Sequence, residues 1–361
     1  MKILFVLDKR VNAGSIQAVA HYVQAGKEAG HHVALYGRSD PRYPAIPFAT
    51  DPGIFDHVVF IAETGLQLSG LQLSNLVASV SRTRRVMVDT DAMFNPLTIL
   101  DDYDCNHRDE GERRTWIARH GPLASTVLQP TLGAASDGTL AVPFFGYDPA
   151  RRVRCDHMAK PYQFVYVGHN WWRWREMSAL ILPAIHEVRA RLGDICLIGS
   201  WWDAPPSWAE YLALERAFQV DTDWLRRLHI KVRPAVPYTD VVRTMTEGHV
   251  NIMLQRPLLR RLRFLTAKYF EIFNADTIPL VALERAHAES VYGAAGRELA
   301  LDGEVAEAAA KLVDVVENGR RYRDIVHAVR SHLEIHHSYR RRVEELVEAL
   351  RRSDPVEECT C

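Results

Sequence analysis

The chain has 361 residues, 47% hydrophobic and 25% charged, with a formal net charge of −1. Such a length fits two ordinary domains of about 150–180 residues, each able to bury a core. A balance this close to zero excludes a general electrostatic pull toward nucleic acid or anionic membrane, and no apolar run approaches the ~18 residues of a membrane-spanning helix. The five cysteines are odd in number and widely spaced, so no disulfide framework is expected and a reducing, cytoplasmic setting is.

The first half alternates strand and helix signals. MKILFVLD is too short and ends too acidic for a signal peptide, and Lys2–Leu7 reads as a first strand. A polar loop, Asp8–Ser15, leads into apolar residues at helical spacing over Ile16–Ala29, stopped by Gly30. Strands are expected at His32–Tyr36 and Val58–Ile61, then a helix at Leu68–Ser81 and strands at Arg85–Val88 and Val127–Gln129. Pro143, Pro149 and a charge cluster mark a linker within Val142–Lys160. The second half repeats the alternation, with strands near 163–167, 195–199, 229–233, 250–254 and 278–282 and helices near 177–192, 207–219, 238–247 and 266–275. From Asp302 to about Arg352 the pattern is wholly helical. Alternation of this kind predicts doubly wound parallel sheets. The expected organisation is one domain over 1–150, a second over 151–335, and a helical tail over 336–361.

Two strand ends carry an unusual chemistry. The apolar run Phe164–Val167 breaks at Gly168 and passes into His169, Asn170, Trp171, Trp172, Arg173, Trp174 and Arg175. About thirty residues on, Ile195–Gly199 ends in Ser200-Trp201-Trp202-Asp203. Ligands of open α/β sheets bind at the carboxyl ends of strands. Arginine suits phosphate and indole suits a flat or sugar-like face, so Arg173, Arg175, Trp171, Trp172, Trp201 and Trp202 are candidates, with Asn170 and Asp203 for hydroxyls. Packing of the tryptophans between domains is the alternative.

A third segment, Arg263–Glu271, reads RFLTAKYFE. Thr266 is a plausible N-cap for a helix running to Ala275, and a helix N-terminus attracts anions. Lys268 would add a charge there, and Glu271 shares its face, within reach of a ribose diol; a surface Lys–Glu pair is the plain alternative. Gln255 and Arg256 follow the 250–254 strand. Arg256, Arg260, Arg261 and Arg263 form a basic cluster, suited to phosphate or left in solvent. In the first half, Asp89-Thr90-Asp91 ends a strand. Such a pair can bind a divalent metal, supply a general base or cap the adjoining segment. Asp91 as base is preferred over metal, with Glu63 its rival and His21 a weaker one. Asn12–Ser15 lacks G-x-G-x-x-G, which disfavours NAD.

These segments together resemble a family. TAKYFEIFNADTIPLV looks like the donor-site helix of GT-B fold glycosyltransferases, and MKILFVLD…AGS…AGHHVALYG resembles their first βαβ unit. FVYVG…RWRE stands where their second domain opens, and IKVRPAVPYTD resembles their base-binding turn. Asp89–Asp91 and Pro143–Pro149 are similar to segments of the spore-maturation-type branch. The resemblance implies an α/β protein with two Rossmann-like domains facing a central cleft and a C-terminal helical segment. It implies transfer of a sugar from a nucleotide-diphosphate sugar, UDP or GDP by preference, to an acceptor hydroxyl on a natural product, glycan or nucleic-acid base. By position, Glu271 would bind ribose hydroxyls; Thr266 and Lys268, with Arg173 or Arg175, the diphosphate; backbone near Val236 the base. Gly14 would let backbone approach the donor sugar. No tightly bound cofactor and no metal are implied, and the net charge disfavours a nucleic-acid acceptor. Arg263 stands where many retaining members carry a second glutamate, so stereochemistry is not inherited. A nucleotide-sugar epimerase, or a non-catalytic nucleotide-binding protein, would share the scaffold.

Overall fold

A computed structural model describes residues 1–7, 14–62, 73–96, 104, 106–154, 160–211 and 214–353. The chain falls into two compact units. The first comprises Met1–Gly146, Leu262–Ala267 and His337–Cys361; the second comprises Tyr147–Arg261 and Lys268–His336. Each is built on one all-parallel sheet.

In the first unit the strands are β1 (Lys2–Val6), β2 (His32–Tyr36), β3 (Phe48–Ala49), β4 (His57–Ala62), β5 (Arg85–Asp89), β6 (Thr126–Gln129) and β7 (Thr139–Ala141). Their order is β3-β2-β1-β4-β5-β6-β7. The interiors of β1, β4 and β5 are apolar and buried, as expected of a parallel sheet covered on both faces. The helices are α1 (Gly14–Glu28), α2 (Leu73–Ser79) and α3 (Glu110–His120). Gly30 ends α1 as the sequence predicts: it takes a φ of 76°, and His31 N donates to Gly26 O at 2.7 Å. Helix α3, strand β3 and strand β7 have no counterpart in the sequence reading. Helix α3 buries only Trp116 and His120, so its apolar stripe is too thin to read.

The second unit orders β8 (Tyr162–Val167), β9 (Ile195–Ile198), β10 (Ile230–Arg233), β11 (Gly248–Met253) and β12 (Ile278–Val281) as β10-β9-β8-β11-β12. Its helices are shorter than the sequence predicts. Past α4 (Trp174–Glu176) the helix widens into a π turn at Met177–Ile181 before α5 (Leu182–Val188). Pro183 explains this: it has no N–H to give the preceding turn. The helix expected over 207–219 is replaced by turns at 207–211 and a 3₁₀ turn at Glu215–Phe218. Short helices α6 (Thr222–Arg227), α7 (Val241–Met245), α8 (Pro257–Arg261) and α9 (Lys268–Glu271) come next, then α10 (Arg285–Tyr292). Helix α9 spans four residues, not the ten expected from Thr266 to Ala275, and Thr266 does not cap it: its buried Oγ1 has no hydrogen-bond partner.

The tail is helical: α11 (Val305–Glu317), α12 (Gly319–His336) and α13 (Tyr339–Ser353). Arg330 of α12 donates to Phe273 O at 2.8 Å and Ala275 O at 2.7 Å, satisfying the carbonyls past α9. Helix α13 packs on α1 of the first unit. Tyr339 stacks on His21 at 4.3 Å, and Arg342, 1% exposed, pairs with Glu345 and His337. Among the described residues no helix is long and apolar enough to cross a membrane.

Gly146 is the tightest point of the α13 docking: a Cβ there would lie 2.9 Å from His337 O and 3.1 Å from Arg342 Cγ. Gly146→Ala is therefore expected to cost about 1–3 kcal/mol. A urea midpoint below wild type, with faster hydrogen exchange in 339–353, is the expected result; unchanged values would show that the joint yields freely.

Candidate active site

Parallel sheets place sites where the strand order reverses, at the carboxyl ends. In the second unit that point lies between β8 and β11. The loop after β8 is Gly168–Arg173, and the loop after β11 leads through Gln255 and Arg256 into α8. In the first unit the reversal lies between β1 and β4, and the loops beyond those strands are outside the described residues apart from Gly14. Glu63 falls there, and Gly14 is the first residue of α1.

Around the β8 end, cations gather with little to neutralise them. Lys268 opens α9, and its Nζ donates to Val167 O at 2.6 Å and sits 4.9 Å from the Tyr166 ring centre. Burial, aided by the charge of Arg173, pushes the Lys268 ammonium down to about 7. Gly168 makes this position available: a Cβ there would run into Lys268 Nζ and the Tyr166 hydroxyl. Arg173 is fixed by its own loop, Nη1 donating to Trp171 O at 2.8 Å, while its buried Nε has no partner. Arg260 of α8 ion-pairs with Glu176, whose side chain is 13% exposed. Burial raises the Glu176 carboxyl, and Arg260, Arg175 and Arg173 oppose that rise. Three arginines, Arg260, Arg175 and Arg173, therefore act on one carboxylate, while Lys268 has the charge of Arg173 beside it.

Two phenols complete the cluster. Tyr166 is 1% exposed and Tyr269 0%, and neither hydroxyl has a hydrogen-bond partner. Burial raises both, with Arg173 opposing at Tyr166 and Arg260 and Arg173 opposing at Tyr269. Buried hydroxyls without partners are rare, and here they adjoin surplus positive charge. Donors of this kind can hold a multiply charged oxyanion. Glu271, at the other end of α9, is pushed up to about 7 by burial, with no cation among the causes. It makes no ion pair with Lys268 in the structure; each faces a demand of its own. Sequence reasoning missed Tyr166, Tyr269 and Glu176: each phenol sits in an apolar run and reads as core, and Glu176 gains its meaning from Arg260, 84 positions away.

The remaining candidates are scattered. Arg256 is buried at 5% exposure and Gln255 at 1%; Arg175 is exposed; Val236 lies partly exposed in the loop after β10. Asn170 is fully buried and braces the loops, its Nδ2 donating to Trp201 O at 3.0 Å and Gln219 O at 2.9 Å. Trp202 is 0% exposed with Nε1 donating to Gly168 O at 2.8 Å, and Trp172 is 6% exposed, so both serve as scaffold and neither presents a free indole face. Trp171 and Trp201 keep partly exposed faces. In the first unit Asp89 is fully buried, accepting from Met93 N at 2.8 Å, Phe94 N at 3.1 Å and Gln129 Nε2 at 2.9 Å. Burial raises its carboxyl. It caps the turn after β5, whereas Asp91 is partly exposed beyond it.

Comparison with known proteins agrees with this architecture. Residues 175–348 match the family described as glycosyl transferase-like. No curated protein matches the chain in sequence. AviGT4, a glycosyltransferase involved in avilamycin A biosynthesis, superposes with a TM-score of 0.56 at 15% identity, over 98% of this chain and 97% of that one. An alpha-glucosyltransferase solved with UDP and a 13-mer DNA gives 0.61 at 11% identity, over 97% and 99%. T4 phage BGT solved with its UDP-glucose substrate gives 0.59 at 12% identity, over 99% and 100%. The fold is thus GT-B: two Rossmann-like units and a C-terminal helical segment. Within that fold, residues 175–348 carry the glycosyl transferase-like match.

Two pH slopes test the electrostatics without any ligand. Lys268 titrates at about 7 when folded against 10.5 when unfolded, so its burial costs stability in full below pH 7, and the cost fades toward pH 10.5. Lys268→Met should stabilise the empty protein most below pH 7. Glu271, about 7 against 4.5, costs nothing below pH 4.5, increasingly from there to 7, and constantly above. Glu271→Gln should gain across that window, the opposite trend. Thermal melts at pH 4.5, 6, 7.5 and 9 read both; flat differences for both variants would mean neither group is perturbed.

Proposed function

We propose that the second unit binds a nucleotide-diphosphate sugar and that the first supplies the acceptor side of the transfer. The observation that carries the donor assignment is the surplus of buried donors at the β8 end: Lys268, Arg173, Arg260 and the Tyr166 and Tyr269 hydroxyls, with Glu176 paired to Arg260. A diphosphate would neutralise these groups in the ground state. They would also stabilise the charge that builds on it as the glycosidic bond breaks, the interaction that accelerates such a reaction. Glu271 would accept the ribose hydroxyls, and losing its proton strengthens those bonds. Backbone near Val236 would read the base; Arg256, Arg175 and Asn170 would support the donor from the strand ends. Thr266 and Gly14 would add donor contacts, as the family resemblance implies.

UDP is the favoured nucleotide. Relatives of the same fold are solved with UDP and with UDP-glucose. For the acceptor, those relatives include one solved with DNA and one involved in avilamycin A biosynthesis. A net charge of −1 favours a small or glycan-like acceptor over DNA. Asp91 would take the proton of the acceptor hydroxyl if the transfer inverts. Glu63, outside the described residues, is the rival for that role.

Thermal shift against UDP, GDP, dTDP, ADP and CDP tests the donor. One nucleotide at about 100 times its Kd should stabilise the wild type by ~2.7 kcal/mol and fail with Glu271→Ala. Above pH 7.5 binding must reprotonate Lys268, so affinity should fall by up to about tenfold per unit, a slope absent in Lys268→Met. No shift from any nucleotide would sink the donor reading. Asp91→Asn should lower kcat by about 10²–10⁴ while nucleotide binding holds, and a wild-type kcat in that variant would remove Asp91 from the chemistry.

A further inference from the structure

Beyond Trp201, Trp202 and Asp203, the long connection after β9 has no sequence-predicted role, yet it helps to build an aromatic cluster in the second unit. Phe218, 1% exposed, is its hub. Trp171 lies 5.1 Å from it, Trp201 4.8 Å and Trp208 5.1 Å between ring centres, and Trp201 meets Trp208 edge to face at 6.1 Å. The contacts are tilted or edge to face, and the indoles are not fully covered: Trp171 and Trp201 are partly exposed, and Trp208 is 41% exposed.

The cluster is built at a cost. Trp201 takes a φ of 69° and Trp172 a φ of 57°, a left-handed backbone that bulky residues avoid. Strain of this kind persists only where the surroundings impose it. Here Asn170 imposes it, bonding Trp201 O and Gln219 O, while Trp172 N donates to Ala217 O at 2.7 Å. A loop needing only a hydrophobic plug would not need indoles held this way and half exposed.

Position says what the faces meet. The carbonyl of Trp171 holds the Arg173 guanidinium, so the platform is continuous with the cationic cluster assigned to the diphosphate. Its rim is polar: Asp203 is exposed, and His169 lies 5.2 Å from Trp201. Apolar faces edged by a carboxylate and an imidazole match a sugar, which has a C–H face and hydroxyl edges; a planar aglycone would need no carboxylate. We propose that Trp171, Trp201 and Trp208 form a binding platform for the outer ring of a saccharide acceptor of at least two rings, beyond the ring that the first unit's acceptor side would serve. The assignment rests on the donor reading above.

The test is calorimetric titration of the full chain with maltohexaose, cellohexaose and chitohexaose, and separately with UDP and with quercetin as a planar aglycone. At least one oligosaccharide should bind, Trp208→Ala should weaken it about tenfold or more, and Trp208→Phe should restore part of the loss. UDP binding should be unchanged in both variants, which also shows that they fold. No oligosaccharide binding, binding of quercetin alone, or an oligosaccharide affinity indifferent to Trp208→Ala would each overturn the platform. Loss of UDP binding by the wild type would instead remove the donor reading, whatever the saccharides do.

Discussion

A parallel sheet delivers every strand's chain to the same edge, and where the order reverses, neighbouring strands send their loops apart. In the second unit this happens between β8 and β11. The loop of β8 leads into α4 and that of β11 into α8. At the β8 end Lys268 donates to Val167 O at 2.6 Å, and its arrival brings a second positive group beside Arg173. The distinctive features of the site stem from that: the lowered lysine, the phenols without partners, and the need for Gly168, whose missing side chain leaves room for the ammonium.

Burial of like charges is expensive, and folding alone gives no reason to accept it. Glu176 offsets part of it through Arg260, Arg175 and Arg173, but Lys268 has Arg173 beside it and no carboxylate acting on it. The arrangement therefore costs the empty protein stability that an anionic ligand would return. Stability and binding pull in opposite directions at these residues, a recurrent feature of sites evolved for function. Glu271 shows the same tension with the opposite sign: its carboxyl is kept dry with no cation to hold its charge.

The legible parts of this fold were its strands and its motifs. Apolar runs such as Phe164–Val167 and Ile195–Ile198 are buried on both faces, and nothing competes with that signal. Arg173, Lys268 and Glu271 stood out because charge next to an apolar strand end or helix start needs a reason. What could not be read was whatever depends on distant contacts. Tyr166 looks like any core aromatic until its hydroxyl is found unpartnered, and the pairing of Glu176 with Arg260 spans 84 positions. The helix expected over 207–219 failed for a related reason: its apolar residues are spaced for a helix, but Phe218 is drawn into a cluster with Trp171 and Trp201 that belongs to two other loops. Tertiary packing overrode local propensity there.

The acidic pair after β5 shows how neighbouring residues of like chemistry part company. Asp89 and Asp91 are indistinguishable in composition, and a metal, a base and a cap were all open to them. Asp89 points into the protein and spends its oxygens on two backbone amides and Gln129, which in turn is held by Ser136 N at 2.9 Å and Thr139 at 3.1 Å. Those bonds leave it no oxygen for chemistry, and they fix the turn that carries Ala92 at a φ of 63°. Asp91 sits on that turn, partly exposed, its backbone carbonyl held by Asn106. One carboxylate thus holds the turn rigid while the other is presented by it. The general base proposed at Asp91 would need both services, since a carboxylate that must meet one hydroxyl proton at hydrogen-bond distance cannot ride on a mobile loop.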